Sequence, residues 1–315
     1  MECCCAPAFN LPKEAKLIPV DKSKIHLPNE QPGRFLKLNV RKPQCRCGGH
    51  IPLRGSLYET VISEPSCRCI QMFMGSPTTY ECRTITAEDK QRTLEYCTKT
   101  DTTFYIHAPY VANLAKPDCT KAVSIVSKEL DIVSGLPAAT VLHVGKVGTI
   151  ENVAQRINEI RSSGHLPQSQ HSRAPYHLLL EIAAGQGTEL GRSWEEIRHL
   201  YEAIDTTCVG LCVNTQHAFA SGMCLFQTHE DVVKLFDAAN SITPSGISMI
   251  HLNDSHKEFG SHVDRHAALR TGYIWYNSDE GLKSLIRISR DYNLDLISET
   301  DNPIGDSMIV QQYIT

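Results

Sequence analysis

No apolar run in this 315-residue chain approaches the ~18 residues that a membrane-crossing helix needs, and the first fifteen positions lack the charged-then-apolar order of a secretion signal. The expectation is a soluble, intracellular protein with no membrane partner. An excess of one charge is missing too: 31 Lys and Arg stand against 35 Asp and Glu, a net of −4. Residues 1–44 hold eight of the cations and four of the anions, so they stand at +4 and leave −8 on residues 45–315. A body of that sign is not a general polyanion binder, although bound divalent ions would reverse it locally. Glycine occurs without the spacing of a phosphate cradle, and Gly145, Gly148, Gly185 and Gly187 are read as turn formers. Cysteine is the exception to this sparseness. Thirteen are scattered from Cys3 to Cys224, an odd number, which fits free buried thiols in a reducing compartment. Cys45 with Cys47, and Cys67 with Cys69, form two Cys-x-Cys pairs that could share a metal or pair up, a tighter spacing than zinc sites normally use.

Residues 1–44 combine prolines with a lack of sustained apolar periodicity, and read as a basic, poorly ordered extension that either solvates the chain or touches nucleic acid through its Lys and Arg. From residue 45 to 315 one grammar repeats: a short apolar run, a polar cluster, then an amphipathic stretch. The runs are 46–51, 69–74, 103–106, 140–142, 177–180, 210–213, 247–250 and 294–297. Helical spacing of apolar residues occupies 87–98, 121–134, 151–163, 194–204, 229–240 and 280–292. Eight strands alternating with helices point to a single α/β domain, a (β/α)8 TIM barrel, with a doubly wound open sheet as the alternative.

The chemistry gathers at the ends of the runs. His107, His143, Glu181, Asn214 with His217, His251 and Glu299 close six successive runs, and Asp264 and His266 follow around Arg265. A lone histidine at a strand end is usually a rim residue. Six strands in succession carrying ligand-type residues at one structural position instead indicate a transition-metal centre suited to zinc or manganese, on the face where barrels build active sites.

Seven ordered segments carry a family resemblance: Tyr-Ile-His-Ala-Pro-Tyr-Val-Ala-Asn-Leu-Ala (105–115), Leu-His-Val-Gly (142–145), Leu-Glu-Ile-Ala-Ala-Gly-Gln-Gly-Thr-Glu-Leu-Gly (180–191), Cys-Val-Asn-Thr-Gln-His-Ala-Phe-Ala-Ser-Gly (212–222), His-Leu-Asn-Asp-Ser (251–255), Gly-Ser-His-Val-Asp-Arg-His-Ala-Ala-Leu (260–269) and Ser-Glu-Thr-Asp-Asn-Pro (298–303). Over residues 46–315 the chain resembles endonuclease IV, the zinc-dependent apurinic/apyrimidinic endonucleases. The resemblance implies three zinc ions. His107, His143 and Glu181 would hold one; Glu181, Asn214, His251 and Glu299 a second; His217, Asp264 and His266 the third. Glu181 and Glu299 would be the catalytic carboxylates. It further implies a monomer that hydrolyses double-stranded DNA 5′ to an abasic site, leaving a 3′-hydroxyl and a 5′-deoxyribose phosphate, and that trims blocked 3′ ends. Tyr110 would enter the duplex or pack at the rim, Arg83 would stand in for a basic residue missing from the loop at 75–80, and Arg265 would meet a phosphate or a neighbouring carboxylate. His50 would line the pocket floor without binding metal, and His165, His171, His177 and His199 would take no part.

One position departs from the family. Asn214 stands where the family pattern has aspartate, and a carbonyl oxygen is a weaker ligand than a carboxylate, so manganese or magnesium would be tolerated at the second site. The alternatives are a weakened or inactive binder of abasic DNA and, from another class, a sugar isomerase or epimerase built on the same barrel.

Overall fold

Eight parallel strands alternate with helices along the chain: β1 (Arg46–Gly49), α1 (Leu57–Ile62), β2 (Cys69–Met72), α2 (Ala87–Thr100), β3 (Thr103–His107), α3 (Thr120–Val133), β4 (Ala138–His143), α4 (Ile150–Ser162), β5 (Leu178–Glu181), α5 (Trp194–Ala203), β6 (Val209–Asn214), α6 (Thr215–Ala220), α7 (His229–Asn240), β7 (Ile247–His251), then a two-residue hairpin of β8 (Asp254–Ser255) and β9 (His266–Ala267), α8 (Glu280–Asp291), β10 (Asp295–Ser298) and α9 (Pro303–Gln312). The structure is a computed structural model, and it describes residues 46–314 apart from 169, 170, 172, 173 and 244. The extension expected over 1–44, and Cys45 of the paired cysteines, lie outside the described residues.

The strands form one sheet in the order β1-β10-β7-β6-β5-β4-β3-β2, every neighbour parallel. The two outer strands meet: His50 bridges Gln71 in parallel, and the Ile51 amide donates to the Gln71 carbonyl at 2.8 Å. That seam closes the barrel and removes the open-sheet alternative. Gly48 makes the approach possible, because a Cβ there would stand 1.7 Å from the Cys69 carbonyl oxygen.

Side chains alternate in and out along each strand. Outward residues such as Phe104, Ile106, Leu142, Leu180 and Ile250 pack under the helices in the main core. Inward ones, Cys69, Tyr105, Ala139, Val141, Leu179, Cys212, Met249 and Ile297, fill the barrel as a second cluster. Below that cluster a polar floor replaces apolar filling. Arg46 lies 2.8 Å from Asp295 through its Nε and donates to Thr103 at 2.7 Å and to the Arg68 carbonyl, while Tyr105 donates to Asp295 at 2.9 Å. Hydroxyl caps fix the helix starts: Ser56, Thr86, Thr149, Ser193 and Thr228 each accept from the backbone N–H three residues on, and Thr228 completes a capping box with Asp231.

All eight expected runs form strands. α1, α6 and α9 were not anticipated; two are only six residues long, and α6 is buried on every side, so neither shows an amphipathic period. Cys67, Cys69, Cys82, Cys97, Cys119, Cys208, Cys212 and Cys224 are free thiols, and none of the described groups of close ligand-type residues includes a cysteine. No described helix is long and apolar enough to cross a membrane.

Candidate metal centre

The inward rows of the barrel end in a polar ring. Two residues beyond each inward position, where a strand returns to the same face, stand Gln71 after Cys69, His107 after Tyr105, His143 after Val141, Glu181 after Leu179, Asn214 after Cys212, His251 after Met249 and Glu299 after Ile297. His50 follows Gly48 in the same way, so every strand of the barrel contributes one member. Two further contributors come from beyond β6: His217 on α6, and the loop before β9, which carries Asp264 in line with His266.

Three groups of ligand atoms, each within 4.8 Å, result: His107 with His143 and Glu181; Glu181 with His251 and Glu299; His217 with Asp264 and His266. Glu181 is shared by the first two. Donors placed tetrahedrally around zinc at ~2.0–2.1 Å lie roughly 3.3–3.4 Å from one another, which gives a test of fit. In the first group Glu181 Oε2 is 3.3 Å from His107 Nε2 and 3.2 Å from His143 Nε2. In the third, Asp264 Oδ1 is 3.4 Å from His217 Nε2 and 3.3 Å from His266 Nε2. Glu181 Oε2 and His217 Nε2 are buried atoms without a hydrogen-bond partner, one in each of these groups. Both groups therefore have the spacing and the unsatisfied atoms of a cation site.

Imidazole orientation is fixed from behind. His107 Nδ1 lies 2.7 Å from the Ala108 carbonyl and His217 Nδ1 2.8 Å from that of Ile182, so both carry the proton there and turn Nε2 inward.

The middle group differs. Its contacts are hydrogen-bond lengths: His251 Nδ1 is 2.9 Å from Glu181 Oε1 and 3.1 Å from Glu299 Oε2. Asn214 donates through Nδ2 to the same two oxygens, at 2.9 and 3.2 Å. Its carbonyl oxygen points the other way, capping α6 by accepting from the backbone N–H groups of Gln216 and His217 at 3.0 and 3.3 Å. At Asn214, expected as a carbonyl ligand, the helix cap takes the oxygen and the amide nitrogen faces the carboxylates.

Charge follows from these contacts. Burial would raise Glu181, but His251 and His143 hold it well below the usual carboxylate range, and His217 with His266 do the same for Asp264. Burial lowers His107, yet Glu181 beside it carries it up to about 8; Asp264 and Glu181 likewise bring His217 to about 10. His143 is pushed down to about 4 by burial. The carboxylates are ionised, as ligation requires.

Comparison with known proteins fits this geometry. A family model described as xylose isomerase-like TIM barrel matches residues 62–289. A "Probable endonuclease 4" of Symbiobacterium thermophilum is 30% identical over 247 residues, 76% of this chain and 86% of that protein. A protein of the same description from Aster yellows witches'-broom phytoplasma is 33% identical over 187 residues, which span 58% of this chain but only 61% of that relative. The crystal structure of endonuclease IV from Thermus thermophilus superimposes with a TM-score of 0.71 at 25% identity, covering 85% of this chain and 97% of that one. The chain belongs to the endonuclease IV family.

Within that family frame, the ligand-type residues anticipated from sequence converge on one centre, and Asn214 joins it as a hydrogen-bond donor. Tyr110 stands at the mouth, 56% exposed, its ring edge-on to His107 and His143 at 5.8 and 5.9 Å and to Phe73 at 5.5 Å. A groove beside it is lined by Lys146, Gln186, Asp264 and Arg265. Arg265 donates to its neighbour's carbonyl, that of Asp264, at 2.9 Å, not to a carboxylate. Arg83 donates to the carbonyls of Arg54 and Gly55 and lines a cavity shared with His50 and Phe73. Gly185 turns the chain beneath the centre at φ +83°, where a Cβ would meet His262 Nδ1 at 2.7 Å. His50 touches no ligand group closely; its Nδ1 is 3.0 Å from Gln71 and 3.9 Å from Glu299.

Two positioning residues escaped the sequence reading. Gln71 donates to Glu299 Oε1 at 2.7 Å and lies 2.8 Å from His251 Nε2 through its oxygen. Asn253 accepts from the Glu299 backbone N–H at 2.8 Å and donates to Glu299 Oε2 at 3.1 Å. Neutral amides carry no ligand signature, but Gln71 shares the strand parity of the histidines, and that signal was available.

Proposed function

We propose that this protein is a metal-dependent endonuclease of DNA repair, hydrolysing double-stranded DNA on the 5′ side of an abasic site to leave a 3′-hydroxyl and a 5′-deoxyribose phosphate, and trimming blocked 3′ ends, as a monomer. The observation that carries the reading is Glu181, whose two oxygens face two different groups of histidines at the centre of the barrel mouth. Imidazole and carboxylate donors at this spacing suit zinc, and ions held there supply acidified water and neutralise phosphate charge. His107, His143 and Glu181 would hold one ion, and His217, Asp264 and His266 another. Ala108 and Ile182 keep the two inner imidazoles aimed, and Gln71 and Asn253 keep Glu299 from rotating. Tyr110 offers an exposed apolar ring beside the ligands, placed to fill the gap left where no base stacks, and Lys146 and Arg265 give its groove cations for phosphate. Against a sugar isomerase or epimerase, the third group has no use in sugar chemistry.

A second reading, a binder of abasic DNA that no longer cuts, is favoured by one observation: the donor that Asn214 presents to Glu181 and Glu299. Incision of an end-labelled duplex with a single tetrahydrofuran site separates the two. Cutting that yields a 3′-hydroxyl, stops on chelation and returns with zinc or manganese supports the endonuclease. Binding without cutting at any metal concentration sinks it in favour of the binder, and neither binding nor cutting sinks both.

A further inference from the structure

We infer that the centre is a two-ion site, in which the Asn214 amide group occupies the role of a middle cation. The inference rests on the metal-centre reading above, but not on the identity of the substrate.

Three backbone donors set the orientation. The N–H groups of Gln216 and His217 both point at Asn214 Oδ1, and an amide nitrogen turned toward them would oppose donor to donor and strip α6 of its cap. The Glu299 N–H fixes Asn253 in the same manner: its oxygen accepts there, so its Nδ2 faces both Glu299 Oε2 and, at 3.4 Å, Asn214 Oδ1. Every contact in this chain of amides agrees with one orientation, and reversing Asn214 would break five of them, three at its oxygen and two at its nitrogen. Asn214 is fully buried, so no water is at hand to compensate.

The consequence is electrostatic. Asn214 Nδ2 carries its hydrogens, with their positive partial charge, toward Glu181 Oε1 and Glu299 Oε2. A divalent ion between those carboxylates would face the same hydrogens and would lack a fourth protein ligand. The carboxylates are also satisfied without it: Glu299 accepts from Gln71, Asn253 and Asn214, and Glu181 Oε1 from Asn214, with His251 beside both. The unpartnered atoms, Glu181 Oε2 and His217 Nε2, belong to the outer two groups. An aspartate at 214 could cap α6 with one oxygen and present the other to an ion. Asparagine performs the first task and inverts the second.

The test is metal stoichiometry of the full chain, loaded with excess zinc, exhaustively dialysed, and counted by plasma mass spectrometry and native mass spectrometry. The expected result is two zinc ions per chain for the natural sequence and three for Asn214→Asp. Adding Glu299→Gln, which removes a group that only a middle ion would use, should leave the natural count at two and return the Asn214→Asp count from three to two. Circular dichroism melts of each variant establish that the counted chains are folded. Three retained ions in the natural sequence would overturn the inference, as would two in both it and Asn214→Asp. Failure of DNA incision alongside counts of two and three would overturn the proposed activity and leave the two-ion site standing.

Discussion

Glu129 on α3 is a buried carboxyl group that the metal centre does not use, 1% exposed and with Oε2 lacking a partner. Burial raises it from an ordinary 4.5 to about 8, only partly offset by the charge of His107. A carboxyl whose folded value lies above its unfolded one leaves stability intact below the unfolded value and removes it as pH rises toward the folded value. Between about pH 5 and 8 the protein should lose up to ~1.4 kcal/mol of stability per pH unit from this group. Glu129→Gln should flatten that window, as read from denaturation midpoints at several pH values; an unaltered slope would show that Glu129 is ionised or hydrated in the fold. Residues of this kind are invisible in sequence, because nothing there distinguishes a buried glutamate on an amphipathic helix from a solvated one. The proposed metal ligands were legible for the opposite reason: His107, His143, Glu181, His251 and Glu299 each end an apolar run, and no apolar core requires that. Asn214 was legible as a departure but not as a donor, since its orientation is decided by backbone N–H groups of a helix, α6, that the sequence did not reveal.

Secondary-structure elements were the most readable level. Strands fell where apolar runs stood, and the six longer amphipathic helices began and ended within two residues of their expected bounds. What the strand pattern left unread is the barrel floor, where Arg46, Thr103, Tyr105 and Asp295 from β1, β3 and β10 replace apolar packing. A single charged residue at the start of a strand looks like a boundary, and only register shows Arg46 opposite Asp295. Removing one partner strands the other in a low-dielectric interior. Asp295→Ala should therefore cost about 3–5 kcal/mol in urea unfolding, whereas Arg46→Met combined with Asp295→Leu should recover most of it. A loss under about 1 kcal/mol for the single variant would mean that the floor is wetter than its burial indicates.

At the scale of the whole molecule the charge is divided: +4 over residues 1–44 and −8 over the rest. If the substrate is DNA, the eight cations of that extension would add non-specific contacts to those of Lys146 and Arg265 in the groove of an otherwise acidic barrel. Deleting residues 1–44 should weaken binding to an abasic duplex and make its dependence on salt shallower, by close to 0.9 in the log–log slope for each phosphate that the extension had neutralised, while cleavage at saturating DNA is unchanged. Equal slopes with and without the extension would assign it no part in binding. Among the described residues the barrel is joined along one line by a single bridge, His50 to Gln71, to which the Ile51 hydrogen bond belongs, with the Gln71 side-chain nitrogen 3.0 Å from His50 Nδ1. Should that line part, β1 and β2 become open edges whose unpaired backbone groups are templates for strands of other chains. Gln71 is also the residue that holds Glu299 and faces His251. One residue therefore steadies Glu299 with its side chain and pairs the barrel's last edge with its backbone, so loosening of the site and exposure of the edges would begin at the same place.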